Sequence, residues 1–179
     1  HPIKYEYNPE KAKALLKAAG CLPCAFTVGI STSGSGQMQP LPMNELVKEQ
    51  LEAVGFKVTL KPMDWNSLID VYFSGAGKNP TLDAINFSLS SIEPEQGIMK
   101  NGMTQYWPPN GLNWGYFSDP DVDKLGQAAL SEFDVTKRNA IIAHMHEKLV
   151  ADAYEVFIVH DLNPRALSPK LKGFVQAQS

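Results

Sequence analysis

Three observations predict an α/β fold for this chain. Apolar and polar residues alternate at Phe26, Val28 and Ile30 and again at Phe56, Val58 and Leu60, the period of two that marks a strand with one buried face. Other stretches carry apolar side chains at helical spacing, each opened by a capping residue or a proline. Strand-like and helix-like runs also alternate along the chain without an internal repeat, which implies helices layered on a sheet. At 179 residues the chain fits a single domain, 1–179, long enough to bury a substantial core.

The first helix is expected over residues 9–19. Asn8 can cap it, and Pro9 suits a first turn in which the missing N–H costs nothing. The alanine-rich body propagates well, and Gly20 can adopt the left-handed conformation that ends a helix. A strand through Phe26, Val28 and Ile30 leads into a polar Ser/Gly loop at 31–37, which lacks both the Walker lysine and the dinucleotide glycine spacing. Pro42 opens a helix with Met43, Leu46, Val47, Leu51 and Val54 as its apolar stripe and Gly55 as its stop. After the strand through Phe56, Asp64 caps a helix with Trp65, Leu68, Ile69 and Tyr72 on one side.

Residues 74–80 read as a loop, and 82–89 as a third strand with Ile85, Phe87 and Leu89 on one face. The stretch 100–117 is irregular but too aromatic for an ordinary linker, and long segments of that kind inside a domain are often functional. Pro120 begins a further helix, Asp134 caps another running to residue 152, and 155–160 reads as a buried strand.

With 44% hydrophobic and 20% charged residues the composition is that of a soluble globular domain, and a net charge of −3 argues against a nucleic-acid partner. No apolar stretch reaches membrane-spanning length and no signal peptide opens the chain, so it reads as cytosolic, as mature and exported, or as a piece of something larger. Cys21 and Cys24 sit in one short loop and do not fix the compartment by count.

Four segments carry a family resemblance. The run Tyr7-Asn8-Pro9-Glu10-Lys11-Ala12-Lys13-Ala14-Leu15-Leu16 through Ala19-Gly20 resembles a segment of family 5 extracellular solute-binding proteins, the oligopeptide, dipeptide and nickel-type receptors of bacterial ABC importers. Residues 44–58 followed by Leu60-Lys61-Pro62-Met63-Asp64-Trp65 resemble that family's helix-to-strand unit, and Ser118-Asp119-Pro120-Asp121-Val122-Asp123 resembles a helix start. Pro164-Arg165-Ala166 with Lys172-Gly173 resembles the segment where the chain leaves the lobe. The resemblance covers nearly the whole chain. It implies a mixed sheet with flanking helices, as in the C-terminal lobe of a type II periplasmic binding protein, with the N-terminal lobe absent. It implies a non-enzymatic role: capture of a small, peptide-like or other solute between two lobes and delivery to an ABC permease. It also implies a periplasmic or extracellular location; the residues themselves suggest no cofactor and no metal site.

The resemblance places the ligand cleft after the third strand. Peptide receptors there often carry Trp-x-x-Asp, whose carboxylate holds the ligand's α-ammonium. Aligned on Glu93-Pro94, this chain has Phe87, Ser88, Leu89 and Ser90, with Ser90 at the aspartate position. A hydroxyl supplies no such charge, so neutral, hydroxylated or anionic ligands are expected over free peptide amines; turn-forming serines at a strand end are the alternative for Ser88. Asn113 aligns with a family asparagine, while Trp107 and Trp114 are either cleft walls or core plugs. On its apolar stripe Trp65 reads as core.

Two rivals remain open. Cys21-Leu22-Pro23-Cys24 suggests a thiol–disulfide oxidoreductase, but redox motifs place the pair at a helix N-terminus, and here it follows a helix end and precedes a strand. A structural loop disulfide is the expectation. A zinc site would need two more ligands, and His144 and His146 point to different helix faces. The second rival is a sensory module on the same scaffold. Glu10, Glu45, Glu49, Asp121 and Asp123 fall at helix starts or outer faces, where solvated charge is expected, and no nucleophile–base set stands out.

Overall fold

The computed structural model describes residues 5–34, 37–89, 94–159 and 167–175. Helix α1 (Pro9–Ala18) leads to strand β1 (Cys24–Ser31), helix α2 (Pro40–Glu52), strand β2 (Phe56–Met63) and helix α3 (Trp65–Ser74). A 3-10 turn at Ala76–Lys78 precedes β3 (Ala84–Ile85); helix α4 (Pro94–Gly102), a second 3-10 turn (Thr104–Tyr106), α5 (Pro120–Ser131) and α6 (Val135–Ala151) complete the order.

The strands form one sheet in the order β2-β1-β3, with β1 parallel to both neighbours. Cys24 pairs with Phe56 and Ser31 with Met63, while Val28 pairs with Ala84. Parallel neighbours need crossover connections, and α2 supplies the one from β1 to β2. Among the described residues the sheet is wholly parallel rather than mixed.

Capping chemistry sets the helix starts. Asn8 Oδ1 accepts from the Lys11 N–H at 2.9 Å, Asp64 Oδ1 from Ser67 at 3.1 Å and Asp134 Oδ1 from Lys137 at 3.0 Å. Gly20 stands at φ 67° and ends α1, with the Cys21 N–H donating to Leu16 O at 3.0 Å. Cys21 and Cys24 are joined by a disulfide that closes the short loop between α1 and β1. Helix α2 begins at Pro40, two residues before the expected Pro42, because a proline needs no N–H partner at either place. Leu46, expected on the α2 stripe, is exposed.

Three expectations change. The third strand is only Ala84–Ile85, although the flanking Asp83 and Asn86 N–H groups still donate to Thr27 O and Gly29 O of β1. Helix α4 runs into the stretch from residue 100 that reads as irregular. Residues 155–159 form no strand: they are irregular and exposed, and Val156 is 83% exposed. A β-prone run becomes a strand only against a partner strand, and none meets it among the described residues. His160 lies outside the described residues.

Apolar burial divides between two units. Ile30, Val58, Leu68, Tyr72 and Leu82 are buried around the sheet. Met99, Met103, Val122, Ala129, Ile142, Met145 and Leu149 form a separate cluster where α4, α5 and α6 meet. Gly126 lets α5 close on that cluster, because a Cβ there would lie 2.4 Å from Met103 Sδ.

Candidate functional site

Because the strands run parallel, their carboxyl ends share one edge, and α/β sheets bind ligands in the crevice outside that edge. The first residue of α3, Trp65, stands just beyond β2, and Phe87 stands two residues beyond β3. The Phe87 ring stacks between Trp65, with centroids 4.9 Å apart, and Tyr72, with centroids 4.2 Å apart. The three rings thus make a continuous row, held in place by α3 and by the chain leaving β3. Gly34, after β1, runs close over it: a Cβ there would lie 3.4 Å from Trp65 Cβ.

Polar side chains fix the backbone that presents Phe87. The Asn86 N–H donates to Gly29 O at 2.9 Å, and its Oδ1 accepts from the Gln37 amide and, at 3.4 Å, from Asn44 Nδ2. The same Asn44 amide donates to Pro40 O at 2.8 Å. Asp83 is used elsewhere: its Oδ2 accepts from the Thr27 N–H at 2.8 Å, which ties it to β1. Ser88 is half-buried beside this edge. Ser90, on which the ligand-charge argument turns, lies outside the described residues.

The aromatic loop joins the two units. Trp114 donates its indole N–H to Val71 O in α3 at 2.9 Å, and its carbonyl accepts from the Ala76 N–H at 3.0 Å. Asn113 is buried, donating through Nδ2 to Met103 O and Phe117 O and accepting from the Phe117 N–H through Oδ1. Its amide is wholly engaged in shaping the loop. Trp107 is 37% exposed, donates to Phe117 O at 2.8 Å and meets Tyr116 edge to face at 5.5 Å. A further link crosses the same seam, from the Tyr72 hydroxyl to Asn101 Oδ1 of α4 at 2.7 Å.

Sequence reasoning did not single out the corner around Tyr72, Tyr154 and Glu155. Burial first, then the charge of Glu155, raises the pKa of both tyrosines. Desolvation also raises the Glu155 carboxyl, opposed only by the nearby Tyr154 hydroxyl. Glu155 itself is exposed to solvent. A signal was present: one acidic residue heads the otherwise apolar run 155–159. Among the described residues no group of His, Cys, Asp or Glu is placed to hold a metal ion.

The parallel sheet and its flanking helices agree with a type II periplasmic binding-protein lobe. The solved structure of the oligopeptide-binding protein AppA from Bacillus subtilis in complex with a nonapeptide superposes with a TM-score of 0.71 at 21% identity, covering 86% of this chain and 32% of that one. NikZ from Campylobacter jejuni in complex with Ni(L-His) superposes at 0.69 with 16% identity, over 87% and 32% of the two chains. At such identities these structures speak for the fold. The profile of the bacterial extracellular solute-binding proteins, family 5, matches residues 1–121, and this chain belongs to that family. It is 30% identical to the glutathione-binding protein GsiB of Pectobacterium atrosepticum over 180 residues, 97% of this chain and 34% of that protein. It is also 24% identical to AppA of Bacillus subtilis, over 96% of this chain. The chain spans about a third of the length of these relatives.

Proposed function

We propose that this chain is the C-terminal ligand-binding lobe of a two-lobed receptor that serves an ABC importer. The observation that carries this reading is the family match over residues 1–121. The receptor captures a small, peptide-like solute between this lobe and an N-terminal lobe of the same polypeptide, closes by hinge motion and hands the solute to a membrane permease. It works outside the cytoplasmic membrane, where the Cys21–Cys24 disulfide is at home. Binding needs no catalysis and no cofactor.

Phe87, Ser88 and Trp65 form the floor of the cleft on this side. Trp107 presents a partly exposed ring as a wall, while Asn113 and Trp114 hold its loop in shape. A floor alone desolvates only one face of a ligand, so this chain by itself binds weakly. Calorimetric titration of the two-lobed polypeptide with a panel of short peptides is expected to give micromolar or tighter binding of at least one. The 179-residue chain alone is expected to bind the same peptide only at millimolar concentration. Tight binding by this chain alone, or catalysis of insulin disulfide reduction by it, would overturn the reading.

A further inference from the structure

Helix α1 is fastened at its ends rather than along its length. None of its residues is buried, and Leu15 is 60% exposed. Three residues before the Asn8 cap, the Tyr5 hydroxyl meets the carbonyls of Val150 and Ala151 at 3.1 and 2.9 Å, in the last turn of α6. Beyond the other end, the Cys21–Cys24 disulfide joins the helix cap to the first residue of β1. The helix is thus strung from the helical unit to the sheet, with a hydrogen-bonded tether at one end and a covalent one at the other.

The two cysteines differ in what else holds them. Cys24 pairs with Phe56 and its N–H donates to Gly55 O at 3.2 Å, so the sheet keeps it whether or not the bond is present. Cys21 belongs to the cap of a helix without a buried residue, its N–H donating to Leu16 O at 3.0 Å. Between them Leu22 and Pro23 are exposed. Leu22 and Leu16 converge on Gly55, where a Cβ would lie 2.5 Å from Leu22 Cδ1 and 3.9 Å from Leu16 Cδ1.

Reactivity follows from this placement. Disulfides in exposed loops are the reducible ones. Cys21 stands at a helix C-terminus, whose partial negative charge disfavours a thiolate. A pair that forms little thiolate attacks poorly, so this bond is a target of thiol exchange and not an agent of it. The cleft is remote from it: the bond is at the first residue of β1 and the carboxyl edge at the last, about 23 Å away along an eight-residue strand.

We propose that the Cys21–Cys24 disulfide is a redox latch on α1. A dithiol reductant opens it, the C-terminal end of α1 comes away from the sheet, and the sheet itself stays formed. Two electrons and two protons pass from the dithiol to the sulfurs of Cys21 and Cys24; the S–S bond breaks, two thiols form, and the dithiol departs as a disulfide. One dithiol is consumed per chain, without turnover. The latch is closed in an oxidising compartment and opens in a reducing one. It operates whatever the cleft holds.

The test is amide hydrogen exchange of the 179-residue chain, oxidised and after dithiothreitol treatment without denaturant, with opening verified by alkylation of both thiols in an aliquot. Residues 9–21 are expected to exchange about tenfold or more faster after reduction, while β1, β2 and α6 keep their protection. The double variant Cys21→Ser with Cys24→Ser should show the same fast α1 and no response to dithiothreitol. Unchanged exchange in α1 after both thiols have formed would overturn the latch. So would a bond that resists dithiothreitol in the folded chain, or exchange that quickens throughout the molecule, which would make the disulfide a general staple. None of these outcomes bears on the solute-receptor reading, which the peptide titration tests separately.

Discussion

Around the parallel sheet, the buried apolar residues are Ile30, Val58, Leu68, Tyr72 and Leu82, and at its carboxyl edge Trp65, Phe87 and Tyr72 stack in a row. Between α4, α5 and α6, three methionines, Met99, Met103 and Met145, fill an irregular space with Val122, Ala129, Ile142 and Leu149. Unbranched, polarisable side chains suit such gaps. The sheet unit displays residues, and the helical unit braces them. Hydrogen bonds link display to brace, among them Tyr72 to Asn101, Trp114 to Val71 and Ala76 to Trp114. The difference teaches that the site's rigidity is supplied from outside the sheet that carries it.

The sharpest way to break this comparison is to empty each core in turn. Leu149 and Ile30 are both fully buried, one in each unit, and truncating either to alanine should cost about 2–5 kcal/mol. If the seam couples the units, Leu149→Ala and Ile30→Ala each shift a single urea transition, seen alike by circular dichroism and tryptophan emission. Separate transitions for the two probes would show two independent units.

The next test cuts the seam. Tyr72→Phe keeps the ring on Phe87 but leaves Asn101 Oδ1 without its buried donor, an expected loss of about 1–3 kcal/mol. Amide exchange should quicken in α4 if the hydrogen bond couples the two halves, and an unchanged α4 would assign the bond to α3 alone.

The smallest effect belongs to the helical unit by itself. Asp119 caps α5 through the Asp121 and Val122 N–H groups and pairs with Lys148 of α6. Asp119→Ala should cost about 1 kcal/mol, read from a thermal melt. The Lys148 ammonium, then the backbone N–H donors, hold the Asp119 carboxyl below its ordinary value of 3.8. Its contribution is therefore complete above that value and is lost as the pH falls through the lower folded-state pKa. The acid arm of the stability profile should flatten in Asp119→Ala, and an arm identical to that of the parent chain would count against the pairing.

What the sequence disclosed follows from locality. Asn8, Asp64 and Asp134 announced three helices because a cap and its N–H lie within one turn. The alternation at residues 26–30 and 56–60 announced two strands because the pleat is local as well. Helix α4 was hidden because Pro94–Gly102 contains two glycines and no apolar stripe. The third strand was overread because Phe87 leaves the sheet for a stack with Trp65 and Tyr72, which no local pattern encodes. Trp65 read as core, yet it stands in the row at the sheet edge. The family, by contrast, was legible in consecutive residues.

The placement of the three tryptophans has a practical side. Trp65 lies on the sheet edge against Phe87, Trp114 is pinned to α3 through its N–H, and Trp107 stands partly in water. One chromophore therefore watches the edge, one the junction and one the solvent. Replacing them pairwise with phenylalanine would leave chains that each report a single location by fluorescence, so that solute arrival and unfolding could be followed separately without any added dye.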